Sequence, residues 1–129
     1  MRAMLSTLAA VVMLVLVSHG LGRAGLEAGS TRPPAVEVLV FEHPDCVYCR
    51  VFRRDVLPKY REAIGASAAP LRFVDINASD TDSLGLKSRL DTLPTAVVMR
   101  EGREVDRIVG YWGPTNFFKL LSYILMRIE

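Results

Sequence analysis

Soft metal ligands are scarce in this chain: it has two cysteines and two histidines, and one of the histidines, His19, lies among the first 24 residues. A structural zinc site takes about four ligands, commonly two Cys pairs or Cys and His pairs, and His43, Cys46 and Cys49 fall short of that. Widely spaced cysteines are absent too, which argues against the several-bridge scaffold of small secreted domains. No internal repeat and no low-complexity tract is present. A strong charge imbalance is also missing: Lys plus Arg number 16 and Asp plus Glu 14. The two extra cations, Arg2 and Arg23, both precede residue 25, where there is no acid, so removal of residues 1–24 leaves 14 against 14. A near-neutral domain gives no electrostatic reason to expect nucleic acid or an anionic membrane as a partner.

What the N-terminus does have is Arg2 followed by the ten-residue apolar run Leu8–Val17. That is the length of a signal-peptide core, and well short of the roughly 20 residues a membrane span needs. His19, Gly20, Gly22 and Arg23 interrupt the segment soon afterwards. Small residues at Ser18 and Gly20, or at Gly22 and Ala24, suit cleavage after Gly20 or after Ala24. Residues 1–24 are therefore expected to be a signal peptide, which places the mature protein in the periplasm. The alternatives are an uncleaved N-terminal anchor, the only route to membrane contact, and a buried N-terminal helix. Residues 25–35 end in two prolines without periodicity and form a flexible lead-in. Residues 36–129 make one domain, large enough for a modest core.

Within it, Val36–Phe41 is a β-branched and aromatic run that predicts a buried strand. The turn "EHPD" leads into a helical pattern from Cys46 to about Ile64, with apolar positions Cys49, Phe52, Val56, Tyr60 and Ala63 on one stripe. Pro58 predicts a kink or break in it. Leu71–Ile76 is a second strand, Asp82–Leu90 a short helix, and Thr95–Met99 with Glu104–Val109 an antiparallel hairpin turning at Glu101 and Gly102. A last helix opens at Pro114 and carries Phe117, Leu120, Leu121, Ile124 and Ile128. The order β, α, β, α, β, β, α gives an α/β fold: a βαβ unit, a hairpin and a covering helix around a central mixed four-stranded sheet.

Four roles are open to Cys46 and Cys49. As a structural bridge they would close a tiny loop, where loop entropy offers little. Zinc lacks ligands, whereas Cu(I) held by two thiolates would make the protein a metallochaperone. The fourth role is a redox pair, and position favours it. Cys46 falls at a helix N-terminus, where free N–H groups and the helix dipole stabilise a thiolate. Cys49, one turn on and on the apolar stripe, is shielded and suited to resolve a mixed disulfide.

A strand, C-x-x-C at a helix start, a second strand, and "TLPT" before a hairpin together resemble the thioredoxin fold over residues 36–128. "PDCVYC" with "EGREVDRIVGYWGPTNFFKLL" is similar to small periplasmic thioredoxin-like proteins of the SoxS type, associated with bacterial sulfur oxidation. That resemblance implies a thiol reductase acting on disulfides or thiols of partner proteins, re-reduced by an upstream electron-donor protein, monomeric, with no cofactor and no metal. It implies that Pro94 is a cis-proline beside the cysteines and that the backbone of Leu93 docks substrate, with Tyr48 as a third docking candidate. The chain departs from cytoplasmic thioredoxins at Asp45, at Val47-Tyr48 between the cysteines, and at Val40, which stands where those proteins bury an Asp.

Around the pair, His43 is a candidate for tuning the thiol, Arg50 favours its thiolate and Asp45 opposes it. Glu42, or a water, is a candidate acceptor for the Cys49 proton. Arg50, Arg53 and Arg54 could steer an acidic partner but read as the solvated face of their helix; Tyr111 and Trp112 could line a substrate groove but read as core or core rim. A non-catalytic scaffold is disfavoured because both cysteines are present. Export makes a direct prediction: mass analysis of protein from the cell envelope is expected to find an N-terminus between about residues 21 and 29. Recovery of intact Met1 in a soluble cytoplasmic fraction would contradict it.

Overall fold

In the computed structural model of the chain, residues 34–65 and 69–128 are described. The expected signal segment 1–24, and residues 25–33 of the lead-in, lie outside the described residues. Strand β1, Val36–Glu42, is the spine: Val38, Leu39, Val40 and Phe41 are all buried. Alternation along a strand sends them to opposite faces. Val38 and Val40 join one core with Phe52, Val56, Phe117 and Leu121, while Leu39 and Phe41 join a second with Val74, Val97 and Met99.

Helix α1, Val47–Val56, follows, and its buried residues Cys49, Phe52 and Val56 recur at three and four. The expected break at Pro58 is present. A 3-10 turn, Leu57–Lys59, separates α1 from the short helix α2, Tyr60–Ile64, because proline has no N–H to continue the ladder. Tyr60 is buried and its hydroxyl donates to the Ala69 carbonyl at 2.9 Å; burial pushes its pKa up to about 12.

Strands β2 (Leu71–Asp75), β3 (Thr95–Arg100) and β4 (Arg103–Val109) complete a sheet of order β2-β1-β3-β4. β1 runs parallel to β2 and antiparallel to β3, and β3 and β4 are antiparallel. The sheet is therefore mixed, as expected. Glu101 and Gly102 both take positive φ, 52° and 76°, the backbone of a two-residue hairpin whose twist matches its strands. Helix α3, Pro114–Ile128, packs Phe117, Leu121 and Ile124 inward; Leu120, expected on that stripe, is exposed.

The helix expected over Asp82–Leu90 is not formed. Only a 3-10 turn, Thr81–Ser83, appears, and Leu84, Leu86, Leu90 and Leu93 pack on the second core from irregular backbone. Two things hold that backbone out of a helix. Gly85 has φ +70 and lies against the Gly102 carbonyl, where a side chain would collide. The buried Glu104 carboxylate then accepts from the Lys87 N–H at 2.7 Å and from Arg107 Nε and Nη2 at 2.6 Å each. Arg107 donates onward to the Ser88 and Arg89 carbonyls at 3.2 and 3.3 Å. Segment 85–89 is thus bonded to β4 instead of to itself.

Burial alone would raise the Glu104 pKa, but the Arg107 hydrogen bonds and the Lys87 N–H outweigh it and hold the carboxyl below its ordinary value of 4.5. The folded chain favours the ionised form more than the unfolded chain does. The stabilisation is therefore complete above that ordinary value and is lost as pH falls through the lower folded-state one. Arg107→Ala, which leaves a buried charge unpaired, is expected to destabilise the domain by about 3 kcal/mol in urea unfolding near neutral pH. Glu104→Gln is expected to flatten the acid limb of the stability profile; an unchanged limb would show that the pair does not carry it.

Candidate functional site

The chain leaves β1 at Glu42 and turns through His43–Cys46, with Pro44 at the turn position its fixed φ suits and the Cys46 N–H donating to the His43 carbonyl at 3.0 Å. Cys46 is the N-cap of α1, with extended backbone (φ −77, ψ 107). Its sulfur takes the place of the oxygen that usually caps a helix, accepting the Cys49 N–H at 3.1 Å. No acidic residue occupies the first turn of α1, so nothing there competes with the sulfur for the positive end of the helix. Cys46 and Cys49 are joined as a disulfide, with Sγ–Sγ 2.09 Å and Cα–Cα 5.2 Å. Cys46 remains partly accessible, whereas Cys49 is 2% exposed.

The sheet register explains what surrounds the pair. Phe41 at the end of β1 is opposite Thr95, and Thr95 is opposite Val109. The segments beyond those three residues, 42–46, 92–94 and 110–112, therefore leave the same end of the sheet. Leu93 packs on the second core, Pro94 is fully buried and the Leu93–Pro94 peptide is cis. Thr95 fixes the approach, its hydroxyl donating to the Thr92 carbonyl at 2.7 Å. Tyr48, between the cysteines, is 66% exposed.

The expected tuning residues are placed as follows. His43 Nδ1 accepts the Asp45 N–H at 3.2 Å, and the Asp45 side chain is 93% exposed. Arg50 turns to the loop, donating to the Pro44 carbonyl at 3.0 Å. Glu42 is bound by Arg53, which donates from Nε at 2.7 Å and also from Nη2, so both carboxylate oxygens are engaged. At Val40 the strand is wholly buried and apolar.

Arg53 is exposed, as expected of the solvated face, and it is engaged there as well. Its guanidinium lies 3.5 Å over the Phe73 ring while binding Glu42, which ties α1 to β1 and β2. Trp112, expected in the core or its rim, is 81% exposed. Tyr111 is the packed member of that pair. Its ring meets Phe52 edge to face at 5.3 Å and its hydroxyl donates to Asp55 Oδ2 at 3.3 Å. Burial, then the Asp55 charge, push its pKa up to about 12, and the Arg54 hydrogen bond holds the Asp55 carboxyl below its ordinary value. Sequence offered no signal for either contact, since both join residues far apart in the chain.

A family model described as a thioredoxin-like domain matches residues 27–125, and the chain belongs to that family. Its structure is similar to that of the periplasmic thioredoxin SoxS from Paracoccus pantotrophus in its reduced form, with 28% identity and TM-score 0.67 over 73% of this chain and 99% of that one. A thioredoxin from Thermus thermophilus aligns at 23% identity and TM-score 0.55, covering 70% of this chain and 73% of its own. Thioredoxin O2 from Arabidopsis thaliana aligns at 17% and 0.51, covering 69% and 74%. The last two show the shared fold. No curated protein matches the chain significantly. The chain has the thioredoxin fold and is a thiol-disulfide oxidoreductase of the thioredoxin-like class.

Unequal exposure predicts unequal reactivity. In the reduced protein, alkylation near neutral pH is expected to modify Cys46 at least about tenfold faster than Cys49, followed by peptide mass mapping. Equal rates, or a faster Cys49, would reverse the two sulfurs' roles.

Proposed function

We propose that this protein is exported and reduces disulfides in partner proteins of the periplasm, with Cys46 as nucleophile and Cys49 as resolving thiol. The observation that carries the reading is the pairing of a partly accessible N-cap sulfur with a shielded one in the following turn. The Cys46 thiolate attacks one sulfur of a substrate disulfide, forming a mixed disulfide and releasing the other substrate sulfur as a thiolate. Cys49, as thiolate, then attacks Cys46 Sγ. The second substrate sulfur leaves and the Cys46–Cys49 bond closes, so two electrons pass from the pair to the substrate.

The Cys49 N–H directed at Cys46 Sγ, 3.1 Å away, supports the first step by favouring negative charge on that sulfur. Leu93, Pro94 and Tyr48 are the docking residues of this reading. They adjoin the pair at one sheet end, where an extended substrate segment pairs with the backbone of Leu93. An electron-donor protein re-reduces the pair after each turnover, and the domain works as a monomer. The likeness to the periplasmic SoxS thioredoxin of P. pantotrophus supports the location, and the motif resemblance to SoxS-type proteins suggests a substrate within a sulfur-oxidation system.

Trapping tests the proposal. With Cys49→Ser expressed in the native host, Cys46 is expected to retain a partner protein as a mixed disulfide, released by dithiothreitol and identified by mass spectrometry, while Cys46→Ser captures nothing. Failure of Cys49→Ser to capture any protein, with Cu(I) bound tightly by the unsubstituted pair, would favour a copper carrier instead.

A further inference from the structure

Trp112 is the chain's one tryptophan, and at 81% exposed it is the most open of the large apolar side chains among the described residues. Large aromatic rings are usually mostly buried, and neither the fold nor the thiol chemistry requires this one to be in water. Its surroundings show which way it lies. Gly110 before it has φ +74, and a Cβ added to Gly110 would lie 3.6 Å from Trp112 Nε1 and 3.9 Å from Thr92 Cγ2. The indole thus folds back over Gly110 toward the segment that carries Leu93 and Pro94. Tyr111 anchors the loop from beneath, through Phe52 in the same helix as Cys49 and through Asp55. Val47 (58% exposed), Tyr48 and Val109 add further exposed apolar surface at this end of the sheet.

We infer that Trp112 is a specificity-determining residue, selecting protein disulfides whose cysteine is flanked within a few positions by an apolar side chain. The inference rests on the reductase reading. A substrate must bring its sulfur to Cys46, so residues on either side of that sulfur extend across the loops leaving the same sheet end. An exposed indole on a loop at that sheet end offers an apolar neighbour a large contact with few rotatable bonds to fix, which is why tryptophan is enriched among binding hot spots. An aspartate, glutamate or serine in the same place gains nothing from the ring.

The test uses the full reduced protein with three otherwise identical short peptides, each holding one disulfide, flanked by Phe, by Ser or by Arg. The unsubstituted protein is expected to prefer the Phe peptide in kcat/KM, and Trp112→Ala to reduce the Phe-to-Ser ratio by about tenfold. Trp112→Phe is expected to restore most of the ratio, and Trp112 emission to shift on mixing the Cys49→Ser protein with the Phe peptide. Equal loss on the Phe and Ser peptides, an unchanged ratio, or a stronger preference for the Arg-flanked peptide would overturn the inference while leaving the reductase reading intact. If the unsubstituted protein reduces none of the peptides and no protein disulfide, the reductase reading fails and this inference fails with it.

Discussion

Strand β1 is buried on both faces, and that burial fixes where the two sulfurs sit. Val38 and Val40 point to one core and Leu39 and Phe41 to the other. A one-residue slip against its neighbours would exchange the two sets, so the register Phe41–Thr95 and Phe41–Val74 is strongly specified. From that register it follows that Cys46, Pro94 and Trp112 leave the same end of the sheet. Helix α1 is set in turn by Phe52, whose ring meets Phe73, Tyr111 and Phe117 edge to face. The helix that carries Cys49 therefore has one place to lie, and its N-terminus has one direction to face.

Polar contacts finish what apolar packing begins. Arg53 joins Glu42 to Phe73, Tyr111 joins its loop to Asp55, and Glu104 with Arg107 holds the segment leading toward Thr92. Each restrains a segment that leads into the end of the sheet where the pair sits. The buried positions of β1 are all apolar: Val38, Leu39, Val40 and Phe41. None offers a carboxylate, and Glu42, the candidate acceptor for the Cys49 proton, has both oxygens engaged by Arg53.

Most of this architecture was legible from local signals. The strands showed as β-branched runs, the hairpin as Glu101-Gly102, the helix break as Pro58, and the thiol pair as C-x-x-C after a strand. The features that were not legible depend on partners distant in sequence. A helix was expected over Asp82–Leu90, but Glu104 and Arg107, on a later strand, bond that segment's backbone in an irregular form. The tie that the exposed Arg53 makes had no local signal, because its partners, Glu42 and Phe73, lie on different strands. Trp112 looked like core because exposure of an aromatic beside a strand end has no local signature, and only the packing of Tyr111 against α1 decides which of the two rings turns outward.

The central claim is that Cys46 and Cys49 pass two electrons to a protein disulfide. The direct measurement mixes the reduced protein with an excess of a disulfide-bonded protein, quenches with an alkylating reagent, and follows both partners by intact mass. The account predicts that two alkylated thiols appear on the substrate for each pair that closes, that the chain loses two hydrogens, and that Cys46→Ser abolishes the exchange. Closure of the pair without thiols appearing on the substrate, or full exchange by Cys46→Ser, would contradict it.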